Sequence, residues 1–165
     1  MNLINNETIG RYDLIPIFQN YNLFNEIIEF LSEPYKNRID FVVSPESLGW
    51  ILGIGMSIKL GVGFIPLRKA NKLPYSKENI LQNKYTDYTN KTKTLEINKN
   101  INIKNSKVII VDEWVETGKT MNACINIIEK IGCDIIGLVT IGIDENNNTK
   151  NWIETEYVRF IGKNI

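Results

Sequence analysis

The residues most able to do chemistry lie in one stretch, where a strand-like run leads into a helix-like run. Residues 108–111 are four consecutive β-branched residues, which predict a strand buried on both faces. Asp112 and Glu113 follow where that strand ends, and residues 117–120 read Thr-Gly-Lys-Thr and open a predicted helix. A helix N-terminus offers unpaired N–H groups and the positive end of its dipole. This turn therefore predicts a site for a phosphate monoester.

The residue types around the turn favour a phosphorylated sugar as the ligand. Gly118 lets the backbone turn and approach closely, while Thr117 and Thr120 add hydroxyl donors. Asp112 and Glu113 can accept hydrogen bonds from two neighbouring ribose hydroxyls, or hold Mg²⁺ through water. A Walker-type nucleotide loop is the alternative, since it shares Gly-Lys-Thr, but that motif needs an earlier glycine where this chain has the two acids.

The same stretch resembles the phosphoribosyl pyrophosphate loop of the type I phosphoribosyltransferases. Its Thr-Gly-Lys-Thr-Met wording is similar to hypoxanthine-guanine enzymes, whereas the chain from about residue 11 to residue 143 is more similar to adenine enzymes. The resemblance implies transfer of the ribosyl 5-phosphate group to a nucleobase in purine salvage, with Mg²⁺ on the pyrophosphate and a homodimeric protein. It also implies that the donor is bound by Asp112, Glu113, Glu116, Thr117, Gly118, Lys119 and Thr120. Asp112 and Glu113 would lie nearest the metal, and these two residues and Glu116 would be catalytic.

A second motif places three cations just beyond a predicted strand. Arg68, Lys69 and Lys72 stand in the order Arg-Lys-x-x-Lys-Leu-Pro, which resembles a strand end of the adenine enzymes. An arginine offers a bidentate fork and a lysine a mobile point charge, so these residues are expected to meet the pyrophosphate oxygens. A solvated basic loop is the alternative.

A third segment, after a short buried strand at residues 41–43, forms a polar turn that leads into a glycine-rich helix. In the resembled family this turn binds pyrophosphate through an acid-x-Arg-Gly pattern. Glu46, Ser47 and Gly49 match that pattern, but Leu48 takes the place of the arginine. This departure predicts weak pyrophosphate binding unless the three cations compensate.

The base-binding residues are expected near the N-terminus and in a lid. Arg11 and Tyr12 are the predicted base contacts, although Arg11 stands where the resembled family has a stacking Phe, and a surface role is as compatible with it. Residues 75–105 are polar and predict a long lid loop, in which Asp87 and Tyr88 are nearest to the Glu-Tyr pair that closes over the substrates. Asp87 is therefore an expected catalytic residue.

Two further assignments near the site have alternatives. Glu116 is predicted to face the base and relay a ring proton, or else only to favour the helix dipole from solvent. Trp152 could stack on a base, although packing at the rim is the preferred reading.

Composition limits the remaining possibilities. The 165 residues predict one domain, 1–165, and a net charge of zero from 19 basic and 19 acidic residues argues against a nucleic-acid or membrane-surface protein. No histidine is present, so acid–base chemistry must fall to carboxylates, Lys or Tyr, and the two cysteines lack metal-ligand spacing. The absence of a long apolar run predicts a soluble, cytoplasmic protein.

Strand-like and helix-like runs alternate along the chain and predict the fold class. An α/β, doubly wound, mainly parallel sheet is expected, the type I phosphoribosyltransferase fold, with a small hood over the carboxyl ends of the strands. A regulator that senses phosphoribosyl pyrophosphate without turnover, or a transferase for a non-purine acceptor, is compatible with the same motifs. Fold similarity alone does not decide among them.

Overall fold

The computed structural model describes residues 13–86 and 91–163, and its strands form one eight-stranded sheet. The strand order is β3-β4-β2-β1-β5-β6-β7, and β8 pairs with β6. The strands are β1 (Phe41–Pro45), β2 (Gly63–Lys69), β3 (Ile80–Thr86), β4 (Thr92–Asn98), β5 (Lys107–Val115), β6 (Asp134–Ile143), β7 (Val158–Arg159) and β8 (Gly162–Lys163). The helices are α1 (Ile15–Gln19), α2 (Tyr21–Ser32), α3 (Gly49–Leu60), α4 (Lys119–Ile131) and α5 (Lys150–Glu154).

The central strands are parallel, as the sequence predicts. β1 pairs with β2 and β5, and β5 pairs with β6, all in parallel register. Residues 108–111 are fully buried in β5, because both faces of the sheet are covered. The carboxyl ends of β1, β2, β5 and β6 therefore meet at one edge of the sheet, where ligands of such folds bind.

Helices cover both faces of the sheet and create two apolar layers. One layer surrounds α4 and includes Ile127 and Ile128, together with Leu95 and Ile97 of β4. The other layer is formed by α1, α2 and α3 and includes Leu31. This arrangement confirms the doubly wound fold class. Within the described ranges, no helix is long and apolar enough to cross a membrane.

The predicted long lid loop at residues 75–105 is wrong. β3 and β4 form an antiparallel hairpin there, and β4 also pairs antiparallel with β2. Half-buried Leu81 and Tyr85 alternate with exposed polar residues and pack on the α4 layer, so a period of two is present in a stretch that reads as polar overall. Asp87 and Tyr88 lie outside the described residues, as do Arg11 and Tyr12.

Three shorter segments lie around the ends of the sheet. Trp152 lies in α5, and within residues 152–161 only residues 158–159 form a strand. α1 has Pro16 in its first turn, where the N–H that proline lacks would have no partner within the helix. Thr149, in the connection between β6 and α5, is fully buried.

Glu96 joins the hairpin to the chain that follows β2. Its side chain is buried, and its carboxylate oxygens accept hydrogen bonds from the backbone N–H groups of Asn71 (3.1 Å), Lys72 (2.9 Å) and Leu73 (3.1 Å). These bonds fix the backbone of the cationic motif, so the position of Lys72 depends on a carboxylate of a different strand.

Candidate active site

The candidate site is built on the connection between β5 and α4. The backbone at Gly118 is left-handed, with a φ of 73°, and the N–H of Asn122 bonds to its carbonyl as the helix begins. A side chain there would be strained and would also press on Thr149 and Trp152. The turn therefore requires glycine, and it presents the first N–H groups of a 13-residue helix at the edge of the sheet.

Two asparagines from the loop after β6 form hydrogen bonds to the backbone of this connection. The side-chain amide of Asn146 donates to the carbonyl of Glu116 at 2.7 Å, and that of Asn148 donates to the carbonyl of Thr117 at 2.9 Å. The buried Thr149 hydroxyl donates to the carbonyl of Asp144 at 2.6 Å and fixes the loop itself. Sequence reasoning missed these residues; their position just after the carboxyl end of a central strand was the available signal.

Asp112 lies at the carboxyl end of β5 and is almost fully buried. Burial is the main cause that raises the pKa of its carboxyl well above the usual range, and the adjacent Glu113 adds to the effect. Asp112 Oδ1 accepts the backbone N–H of Glu113 at 3.0 Å. The start of α3 passes so close that a Cβ on Gly49 would meet the Asp112 carboxylate and the Ser44 hydroxyl. Gly49 therefore allows the contact between α3 and β5.

Glu46, on the turn after β1, forms hydrogen bonds with the cationic residues of the second motif. Its carboxylate accepts hydrogen bonds from Arg68 Nε at 3.1 Å, Lys72 Nζ at 2.7 Å and the backbone N–H of Lys69 at 3.0 Å. Burial of Glu46 opposes its ionisation, but the bonds from Lys72, Lys69 and Arg68 outweigh burial and lower its pKa to about 2. Glu46 is therefore a permanent anion beside the cations that were expected to bind pyrophosphate.

Leu48 occupies the position where the sequence pattern calls for arginine. Its side chain is 45% exposed and lines the cleft, so it brings no charge to this corner. The guanidinium of Arg68 stacks over Trp50, 5.3 Å from the ring centroid, and the Trp50 indole donates to the Ser44 carbonyl at 3.1 Å. Within the described part of the chain, no carboxylate pairs with the side chain of Lys69, which reaches the cleft.

One cleft of about 350 Å³ brings most of the predicted residues together. Of the predicted site residues, it is lined by Glu46, Ser47, Lys69, Asp112, Glu113, Glu116, Thr117, Gly118 and Thr120. Arg68, Lys72 and Lys119 do not line it, and the first two are directed to Glu46. The lining residues that were not predicted include Leu14, Tyr85, Lys93, Trp114 and Asp144. Among the described residues, no group of three or more carboxylate or cysteine ligands is arranged for a metal ion.

Sequence comparisons relate the chain to known proteins. The phosphoribosyl transferase domain family matches residues 17–164. The adenine phosphoribosyltransferase of Thermotoga sp. (strain RQ2) is 37% identical over 127 residues, which cover 76% of this chain and 72% of that protein.

Solved structures share the whole fold. The adenine phosphoribosyltransferase of Thermoanaerobacter pseudethanolicus superposes with a TM-score of 0.84 at 26% identity, covering 98% of this chain and 95% of that one. The enzyme of Giardia lamblia, solved with 9-deazaadenine, gives a TM-score of 0.85 at 26% identity, covering 99% and 94%. These matches confirm the resemblance that the loop, the cationic motif and the sheet had suggested, and the chain belongs to the phosphoribosyltransferase family.

Proposed function

We propose that this phosphoribosyltransferase transfers the ribosyl 5-phosphate group of phosphoribosyl pyrophosphate to adenine, as part of nucleotide salvage, and releases pyrophosphate. One observation carries the proposal: the phosphate-binding turn, the acidic pair and the Glu46–Lys69 corner line a single cleft. Adenine is favoured because the curated relatives and the solved structures described above are adenine phosphoribosyltransferases.

The donor is proposed to lie along the cleft from the α4 turn to the turn after β1. The 5-phosphate meets the N–H groups of residues 117–120 and the hydroxyls of Thr117 and Thr120, with the Lys119 charge nearby. The ribose hydroxyls meet Asp112 and Glu113. The pyrophosphate lies toward Ser47 and Lys69, with Arg68 and Lys72 reaching it only if their bonds to Glu46 are shared or exchanged.

Mg²⁺ is proposed to reach the site with the donor. Two adjacent carboxylates, Asp112 and Glu113, fit a Mg²⁺ ion that keeps most of its ligands as water and substrate phosphate oxygens, since such ions use only one or two protein carboxylates. When bound, the ion would neutralise charge on the leaving pyrophosphate. Asp112 is buried against Ser44 and Gly49, so Glu113, which is half-buried, is the more accessible of the two.

The chain's own residues are proposed to act mainly by positioning. The asparagine amides hold the α4 turn, and the acidic pair orients the ribose, so the anomeric carbon faces the base as the bond to pyrophosphate breaks. By analogy with other glycosyl transfers, the ribosyl group is proposed to pass through an oxocarbenium-like state. The carboxylates that line the cleft support this proposal. Arg11, Tyr12 and Asp87 remain proposed base and lid contacts.

We further propose that residues 1–165 act as one domain and that the protein is a cytoplasmic homodimer, as is common in the resembled family. The continuous sheet, which is shared by both apolar layers, supports the single domain.

The proposed activity is tested by product analysis. The protein is incubated with Mg²⁺, phosphoribosyl pyrophosphate and, separately, adenine, hypoxanthine, guanine, xanthine or a pyrimidine base, and nucleotide and pyrophosphate are measured. AMP formation well above the other products is expected. Transfer only to another base would mean that this base, and not adenine, is the acceptor. Tight donor binding without turnover on any base would favour a sensor, a possibility supported by Leu48 and by the pairing of Arg68 and Lys72 with Glu46.

Glu116 is the proposed general base, since it lines the cleft two residues beyond Trp114 and the chain has no histidine. Glu116→Gln keeps the size and the backbone contacts but removes the basic carboxylate, so turnover should fall by about 10²-fold or more. Donor affinity should change little, which calorimetry checks. Unchanged turnover would mean that Glu116 contributes only favourable charge near the start of α4.

Leu48→Arg tests whether the pyrophosphate corner is under-charged. A guanidinium at this exposed position can form charge-assisted bonds to pyrophosphate that Leu48 lacks, so donor affinity should tighten by about tenfold or more. Ile58→Arg is the matched control, because Ile58 is 77% exposed near the far end of α3, the helix that begins just after Leu48, and does not line the cleft. Equal affinity in Leu48→Arg and the parent would mean that Lys69, Arg68 and Lys72 already suffice.

A further inference from the structure

A second cavity lies near the start of β6, at the other end of that strand from the cleft. It measures about 520 Å³, and we call it the distal pocket; its lining includes Tyr35, Arg38, Ile136, Glu156, Arg159 and Phe160. β7 borders it where Val158 pairs with Leu138, roughly 15 Å along β6 from the end that reaches the cleft. The distal pocket and the cleft share no lining residue, so the proposed function gives this cavity no role.

Two arginines line the distal pocket without a carboxylate partner. Arg38 Nη1 donates to the carbonyl of Pro34 at 3.0 Å. Arg159 donates to the carbonyl of Phe30 through Nε at 3.1 Å and Nη2 at 2.9 Å, and its guanidinium stacks over the Phe30 ring, 4.1 Å from the centroid. Among the described residues, neither arginine forms an ion pair. Because a guanidinium has five N–H donors, these carbonyl bonds orient both groups and leave donors for another acceptor.

Tyr35 adds a hydroxyl donor to the same pocket. Its side chain is only 7% exposed, and its hydroxyl oxygen would lie 2.9 Å from a Cβ on Gly137, so that glycine makes room for it on β6. Burial raises the pKa of Tyr35, and the positive charges of Arg159 and Arg38 oppose that rise, so both charges act on this hydroxyl. Within the described ranges, the hydroxyl has no hydrogen-bond partner. An anion in the pocket would supply the missing acceptor.

The charge and shape of the distal pocket favour a phosphate group as its ligand. Guanidinium groups bind phosphate oxygens bidentately, and two of them outweigh the single carboxylate in the lining, that of Glu156. The apolar side chains of Ile136, Val158 and Phe160 offer contacts to the uncharged part of a larger ligand. A volume of about 520 Å³ is ordinary for a small-molecule site.

We propose that the distal pocket binds a phosphate group, free or as part of a nucleotide, through the guanidinium groups of Arg38 and Arg159 and the hydroxyl of Tyr35. This site is separate from the cleft and does not rest on the proposed function, because no residue of the cleft takes part.

NMR titration with inorganic phosphate, without Mg²⁺, tests the two sites separately. Backbone amides of residues 157–160 report on the distal pocket, and those of residues 118–122 report on the start of α4. Arg38→Gln should weaken phosphate binding at the distal amides by about tenfold or more and leave the cleft amides within about twofold of the parent. Distal amides that do not respond to millimolar phosphate, or that respond with equal affinity in Arg38→Gln, would overturn the proposal.

Three further variants separate specific contacts from general charge. Lys36→Gln is the matched control, because Lys36 pairs with Glu29 at 3.3 Å, does not line the pocket and loses the same charge close to Arg38. It should bind phosphate as the parent does, and a loss equal to that of Arg38→Gln would overturn the proposal. Glu156→Gln removes the opposing carboxylate and should tighten binding, so weaker binding would contradict the assigned contacts.

Tyr35→Phe tests the hydroxyl and should weaken phosphate binding at the distal amides by about threefold or more. Thermal unfolding of the same variant checks that the fold is kept, since Tyr35 packs in the core. A folded Tyr35→Phe protein with the parent's affinity would remove the hydroxyl from the site.

Two nucleosides distinguish the sources of the phosphate. AMP should shift the distal amides and adenosine, which lacks the phosphate, should not. Tighter binding of AMP than of phosphate would assign the pocket to a nucleotide, and equal affinities would assign it to free phosphate. Adenosine binding as tightly as AMP would overturn the proposal. A parent that forms no nucleotide from adenine, but binds phosphate through Arg38, would refute the proposed activity and retain the distal site.

Discussion

The left-handed turn at Gly118 is the constraint on which the rest of the site depends. β5 must leave the sheet and become α4 within four residues, and only a glycine accepts the backbone conformation and the contacts with Thr149 and Trp152. Once the chain turns there, the N–H groups at the start of α4 and the acidic pair at the end of β5 lie around one space. The amides of Asn146 and Asn148 bond to the two carbonyls just before the turn and hold it in that position.

Charge balance is the second constraint, and it is set largely by Glu46. A neutral protein that binds a highly charged donor needs local cations, and this chain supplies Arg68, Lys69 and Lys72 at one strand end. Glu46 accepts hydrogen bonds from two of their side chains and one of their backbone N–H groups. The buried carboxylate of Glu96 holds the backbone beyond them. Contacts within the protein thus hold the cations in place, which lowers the entropy lost on binding a donor but requires phosphate oxygens to compete with a carboxylate.

The sequence predicted the parts of the structure that depend on local pattern. The buried run of β5 and the turn at Gly118 follow from hydrophobic periodicity and glycine chemistry, and both are confirmed. The hairpin of β3 and β4 was read as a loop because its outward residues are polar and its inner face is only half-apolar. The β-strand propensity of a segment does not indicate whether a neighbouring strand edge will pair with it.

Contacts between distant segments were beyond the same reasoning. The bond of Asn148 to Thr117, the bond of Glu96 to Lys72 and the packing of Trp114 on Gly142 each join residues more than 20 positions apart. Nothing in either partner's local sequence indicates the other. The capture of Arg68 and Lys72 by Glu46 belongs to the same class, although all three residues were recognised individually as parts of the site.

Separate binding of the two halves of the donor tests the central claim most directly. Gly118→Ala forces a side chain into the left-handed turn, whereas the Glu46–Lys69 corner is built from the turn after β1 and from β2. The strained turn should move its N–H groups away from the phosphate. Calorimetry should therefore show that the variant loses ribose 5-phosphate binding by about tenfold or more, about 1.4 kcal/mol of binding free energy, and keeps its affinity for Mg²⁺-pyrophosphate. A folded Gly118→Ala protein that binds ribose 5-phosphate as tightly as the parent would contradict the account.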